Sequence, residues 1–174
     1  MEIILTDLFK LLIPALLVLV AAYLMVNTML TKDFEKKVLD LRQNNQNLVL
    51  PIRLQAYERA VLFLERISPH NLILRVNNPM YTVMELQQQM LGEIREEFGH
   101  NLSQQVYMTD EAWEVVRNTM EEIIGLINTS AQQVSPEAPG IELAKKIFDQ
   151  IINAQADPAA RALKIVKDEI RQVF

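Results

Sequence analysis

The chain reads as all-α: one N-terminal transmembrane helix followed by a cytoplasmic helical bundle of about five to six helices. Three observations carry that reading. Leu11 to Val26 is a run of sixteen residues whose only polar side chain is the Tyr23 hydroxyl. Beyond it, apolar residues recur at three- and four-residue spacings, punctuated by prolines, asparagines and capping residues. No stretch alternates apolar with polar for long enough to make a strand.

Extending the apolar run to Leu8–Leu30 gives 23 residues, and a hydrocarbon core about 30 Å thick needs roughly 20. Lys10 lies near the outer end, where its ammonium can snorkel to the head groups. Pro14 falls in the first turn of the run, where a missing N–H costs least. A cleaved signal peptide would open on basic residues, whereas this chain opens with Glu2 and Asp7. A core helix of a soluble domain would keep a polar face, and Leu11–Val26 has none. The flanks then set direction. Lys10 is the only basic residue before the span, while Lys32, Lys36, Lys37 and Arg42 follow it closely. The positive-inside rule places the N-terminus outside and the rest in the cytoplasm, as a single-pass membrane protein. The chain therefore divides into an anchor (1–30), a juxtamembrane stalk helix (31–50) and a cytoplasmic all-α domain (51–174).

In the stalk, Phe34, Val38, Leu41, Asn45 and Leu48 follow a 4-3-4-3 spacing. That is a short heptad seam with Asn45 at an a-type position, where a buried amide fixes register and favours two parallel strands. Pro51 suits the first turn of a new helix, whose apolar face runs through Leu54, Tyr57, Ala60, Val61, Leu64 and Ile67, widened by Leu62 and Phe63. Ser68-Pro69 stops it and starts a short helix through Leu72, Ile73 and Leu74. Asn77-Asn78-Pro79 reads as a turn. Thr82-Val83-Met84-Glu85 is a capping box opening the longest helix, to about Val106, with Leu86, Met90, Ile94, Phe98, Leu102 and Val106 at four-residue steps. Thr109 and Asp110 offer the N-cap of the next helix, to about Gln133, buried along Trp113, Val116, Met120, Ile123, Ile127 and Ala131. Ser135–Gly140 is a break. Another helix follows to about Gln155 on Leu143, Ala144, Ile147, Phe148 and Ile151. Asp157-Pro158 pairs an N-cap with proline at the first helical position, and Leu163, Val166, Ile170 and Val173 line the last helix.

Several blocks carry a resemblance: Leu50-Pro51-Ile52-Arg53-Leu54-Gln55-Ala56-Tyr57-Glu58-Arg59, then Phe63-Leu64-Glu65-Arg66-Ile67, Glu97-Phe98-Gly99-His100-Asn101-Leu102, Asp110-Glu111-Ala112-Trp113-Glu114 and Ala138-Pro139-Gly140-Ile141. With the Leu/Ile-rich N-terminal span, they make the chain similar, over nearly its whole length, to an uncharacterised family of small membrane-anchored proteins from Bacteroidetes. The resemblance implies one anchor plus one helical domain and brings no activity with it.

Composition removes several chemistries. The chain has no cysteine, hence no disulfide, zinc-thiolate site or thiol nucleophile. Its four glycines, Gly92, Gly99, Gly125 and Gly140, are too scattered for a phosphate-cradling loop. A net charge of −5 argues against nucleic-acid binding. The sharpest metal pattern is Glu97-x-x-His100, but a di-iron bundle needs a second such pair, and Ile67 stands three residues before His70. Cofactors are expected to be none. Asp110, Glu111 and Glu114 invite an acid/base reading, but Asp110 and Glu111 lie in the first turn of a helix, where acids oppose the dipole favourably, and no serine sits in an elbow motif.

Charge is unevenly distributed. Residues 31–75 carry eight basic and five acidic side chains, residues 76–140 two and ten, and residues 141–174 six and five. The base of the domain would face anionic head groups favourably and the middle helices would present an acidic belt. The expectation is a non-enzymatic interaction or scaffold protein, partnered by the bilayer and by other membrane proteins in a larger inner-membrane assembly. The alternatives are a self-contained homo-oligomeric membrane organiser and a metal- or lipid-binding helical protein. Candidate interaction residues are Asn45, for self-association, and Trp113 with Asp110, Glu111 and Glu114, since a tryptophan rimmed by acids suits an interface hot spot.

Overall fold

The computed structural model describes the backbone of residues 2–173 and the side chains of residues 16–37, 39–40 and 48–172. Among these there are six α-helices, one 3-10 helix and no strand, as the helical spacing predicts. The chain splits into two compact units, Met1–Val49 and Leu50–Phe174.

The first unit is helical over its described residues, as part of α1 (Glu2–Ile67). Every described side chain from Leu16 to Val49 is exposed. The helix start expected at Pro51 is not one, because the backbone is already helical before and after it. A proline inside a helix leaves the carbonyl four residues earlier without its N–H partner. Here Leu48, Val49, Leu50 and Pro51 are all exposed, so water reaches this stretch of backbone and the helix survives the missing bond.

In the second unit, the end of α1 buries Ala56, Tyr57, Ala60, Phe63, Leu64 and Ile67. At about 100° per residue these fall within one arc, and Leu62 points the opposite way. The broad face expected from the sequence is accordingly narrower. Leu54 and Leu62 are 41% and 54% exposed. The next helix, α2 (Pro69–Val76), follows Ser68 and buries Leu72 and Ile73, leaving Leu74 exposed.

Helix α3 (Val83–Asn101) opens on the expected capping box: the Glu85 N–H donates to Thr82 Oγ1 (3.3 Å) and the Thr82 N–H donates to Glu85 Oε2 (2.9 Å). It ends five residues before the predicted Val106, giving way to a 3-10 helix at Leu102–Tyr107. Four-residue steps overshoot a 3.6-residue turn by about 40° each, so a stripe of them cannot stay on one face. Leu86, Met90 and Ile94 are buried, Phe98 is half-buried, and Leu102 and Val106 are 45% and 75% exposed. Asn101 also donates its side-chain amide to the Glu97 carbonyl (2.8 Å), competing with the backbone for the last turn.

Helix α4 (Asp110–Ala131) packs against α3, α5 (Gly140–Ala154) and α6 (Pro158–Val173). Its buried residues include Trp113, Val116, Ile123, Ile127 and Ala131. The break at Ser135–Gly140 is stitched to the start of α3: Val83 N–H donates to Ala138 O (2.9 Å), Met84 N–H to Pro136 O (3.2 Å) and Gly140 N–H to Tyr81 O (2.8 Å). Gly140 is needed there, since a Cβ would stand 3.0 Å from Tyr81 O and 3.2 Å from Leu86 Cδ2. Gln155 closes α5 in the left-handed conformation at φ 50°. Asp157 Oδ1 accepts the Ala159 N–H (2.9 Å) at the start of α6. That helix buries Ala159, Ala162, Leu163 and Val166, with Ile170 half-buried; the side chain of Val173 lies outside the described residues.

Candidate functional site

Among the described residues, one helical stretch is long and apolar enough to cross a membrane: Leu16–Lys37, 22 residues with a mean hydropathy of 1.4, none of it buried. It overlaps the expected Leu8–Leu30 span; the side chains of residues 8–15 lie outside the described set. The backbone at Asn45 is helical, and its side chain likewise lies outside the described residues.

The other candidate residues gather at the start of α4. Trp113, the single tryptophan, is 9% exposed and belongs to the core. Its ring stacks on Phe98 at 5.7 Å and 22°, and Phe98 in turn meets Phe63 at 5.8 Å, so one aromatic row ties α4 to α3 and α1. Asp110 and Glu111 are exposed in the first turn. Glu114 is exposed too, within 3.9 Å of Arg117. Further along α4, Glu121 is exposed, and Glu122 meets Arg161 of α6 at 2.5 Å. The acids of α4 therefore line its outer side, while Trp113 points inward.

Glu97 and His100 both line a shallow cleft of about 360 Å³ with Arg59 and Leu62. The Glu97 carboxylate is engaged by Arg66 Nε at 3.1 Å, and His100 is exposed. The described residues include no group of three or more histidines and carboxylates placed to hold a metal ion. A second pair, Arg75–Glu93 at 3.3 Å, ties α2 to α3.

The most organised polar cluster went unsingled in the sequence. Tyr57 of α1, fully buried, donates its hydroxyl to Glu169 Oε1 of α6 at 2.6 Å. Thr109 donates its hydroxyl to the same oxygen at 2.5 Å. Thr109 Oγ1 also accepts the Ala112 N–H (3.1 Å), capping α4, and the Thr109 N–H lies 3.4 Å from the Tyr57 oxygen. Burial raises the Tyr57 pKa above its ordinary value, and the hydrogen bond to the Glu169 carboxylate raises it further, because both favour the neutral phenol. The cluster joins three elements that lie 52 to 112 residues apart in sequence. A tyrosine on a core stripe was the one available signal, since a buried phenol wants a partner for its hydroxyl. Chemically the arrangement is a clamp, with the Tyr57 and Thr109 hydroxyls both donated within the fold.

No curated protein and no solved structure matches the chain. Residues 3–173, which take in both the apolar stretch and the helical unit, match the model of a family of unknown function, DUF7935, and the chain belongs to that family.

Proposed function

We propose that this chain is a non-enzymatic, membrane-anchored interaction protein, a subunit or scaffold of a larger assembly in a bacterial inner membrane. The observation that carries the reading is the uncovered apolar stretch at Leu16–Lys37 in a chain whose second unit closes its own core. That much exposed apolar surface asks for lipid, and a helix of this length meets the thickness of a bilayer. Basic residues crowd the side following the span, which supports an outside N-terminus and a cytoplasmic second unit. A bacterial inner membrane also suits the Bacteroidetes host that the resemblance implies.

The surface of the second unit supports docking. The outer side of α4 presents Asp110, Glu111, Glu114 and Glu121 with Arg117 as the sole basic residue of that helix. Anionic head groups attract the basic stretch next to the span and repel such a belt, which suits a basic partner instead. Purification of the tagged full chain from native membranes in mild detergent, with absolute mass and identification of co-eluting proteins, tests the reading. Stoichiometric membrane proteins are expected. Elution of the chain without any other protein would overturn the assembly.

A further inference from the structure

The helical backbone of the first unit allows the heptad register of the stalk to be followed without a break. Past the span, the alternating three- and four-residue steps fall on Thr31, Phe34, Val38, Leu41, Asn45 and Leu48. Between Lys32 and Asn47 only one residue off this stripe is apolar, Leu39. The same alternation runs back through Asn27 into the span. Phe34 and Leu48, the large apolar residues of the stripe whose side chains are described, are each 70% exposed. A seam repeating every 3.5 residues is shaped for another helix rather than for a flat surface.

We infer that the stalk pairs with the stalk of a second copy of this chain, as a parallel two-stranded coiled coil along Thr31–Leu48. The inference rests on the membrane-anchored reading, because the anchor supplies the geometry. Two copies inserted by the same span stand parallel and at equal height, so every seam position meets its own counterpart. Asn45 then faces Asn45, the arrangement by which an a-position amide selects two parallel strands and fixes their register. An unrelated helix would need a matching polar residue at that height. Lipid does not suit the stripe either, since Asn45 lies 15 residues beyond Leu30, about 22 Å along a helix. One feature works against the pair. In this register Lys37 at g meets Arg42 at e of the other copy, a like-charge contact that holds the stalk affinity down.

The absence of native cysteine makes the test clean. Single cysteines are introduced into the full chain at seam positions, Leu41→Cys and Leu48→Cys, and at outward positions, Lys36→Cys and Gln43→Cys. Native membranes are treated with a mild oxidant. The seam variants are expected to form disulfide-linked dimers severalfold more than the outward ones. Adding Lys37→Glu to Leu41→Cys replaces the like-charge contact with an attractive one and is expected to raise the dimer yield severalfold. Flat yields over the four positions, or no dimer from membrane-retained protein, would overturn the seam and leave the anchor intact. Chain found only in the soluble fraction would overturn the anchor reading itself.

Discussion

The Tyr57–Thr109–Glu169 clamp allows a quantitative prediction. In Tyr57→Phe the ring keeps its place in the core and only the hydroxyl is lost. The shorter of the two bonds removed runs 2.6 Å from a phenol buried to 0% exposure to a carboxylate oxygen, within the range of charge-assisted O–H···O⁻ contacts. Bonds of that kind contribute about 1.5–3 kcal/mol. Glu169 keeps its 2.5 Å bond from Thr109, so the carboxylate is not left bare and the loss should sit near 2 kcal/mol. Urea unfolding of the full chain in detergent, read by the fluorescence of Trp113, measures it, with the denaturant slope unchanged. The pH dependence has a definite sign. The folded Tyr57 pKa is raised, so its contribution is fully present below the unfolded value of roughly 10 and fades as pH rises beyond it. Tyr57→Phe has no such group, so the gap between the two proteins is expected to close in strong alkali. A gap under about 0.5 kcal/mol at pH 8, the size of an ordinary surface substitution, would refute the clamp. A gap that widens above pH 10 would refute the reasoning about its cause.

Four further substitutions probe the packing. Trp113→Ala removes the ring stacked on Phe98 and is expected to cost about 3–5 kcal/mol, read as a shift in thermal midpoint. A stable variant that instead fails to bring down a partner would place Trp113 on an interface. Leu64→Ala should cost about 2–5 kcal/mol, whereas Leu62→Ala, two residues earlier and 54% exposed, should stay within about 0.5 kcal/mol; equal costs would contradict the orientation of α1. Gly140→Ala crowds a methyl against Tyr81 O and Leu86 and is expected to cost about 1–3 kcal/mol, with the largest loss of amide protection at Val83 and Gly140.

Much of the fold was legible because its signals are local. The Thr82–Glu85 capping box, the Thr109 cap of α4 and the Asp157-Pro158 start of α6 each depend on residues within a turn of one another. Where reading failed, geometry beyond one turn decided. Proline is read as a boundary from its own chemistry, yet Pro51 sits inside α1 because an exposed helix tolerates a missing bond. The five four-residue steps from Leu86 to Val106 read as one stripe, but accumulated rotation carries Leu102 and Val106 into solvent. The clamp was out of reach for another reason. Nothing near Tyr57 marks Glu169, 112 residues away, as its acceptor. Of the candidate site, Asp110 and Glu111 were readable as first-turn acids of α4. Trp113 was readable on the buried stripe of its helix, while its ring partners Phe98 and Phe63 were not, since they come from other helices.

Retention of the N-terminal stretch as a membrane span is the property on which anchor, stalk and docking surface all depend, and one measurement addresses it directly. Membranes from cells making the full chain with a C-terminal tag are washed with alkaline carbonate. Protease is then applied to intact spheroplasts and to inverted vesicles, and the N-terminal residue of the recovered chain is determined. The account predicts an intact N-terminus, retention in the washed membrane, and a second unit protected in spheroplasts but digested in inverted vesicles. A soluble chain whose N-terminus begins beyond the apolar run would contradict it, because the stretch would then be a cleaved leader and the second unit would lie outside the cytoplasm.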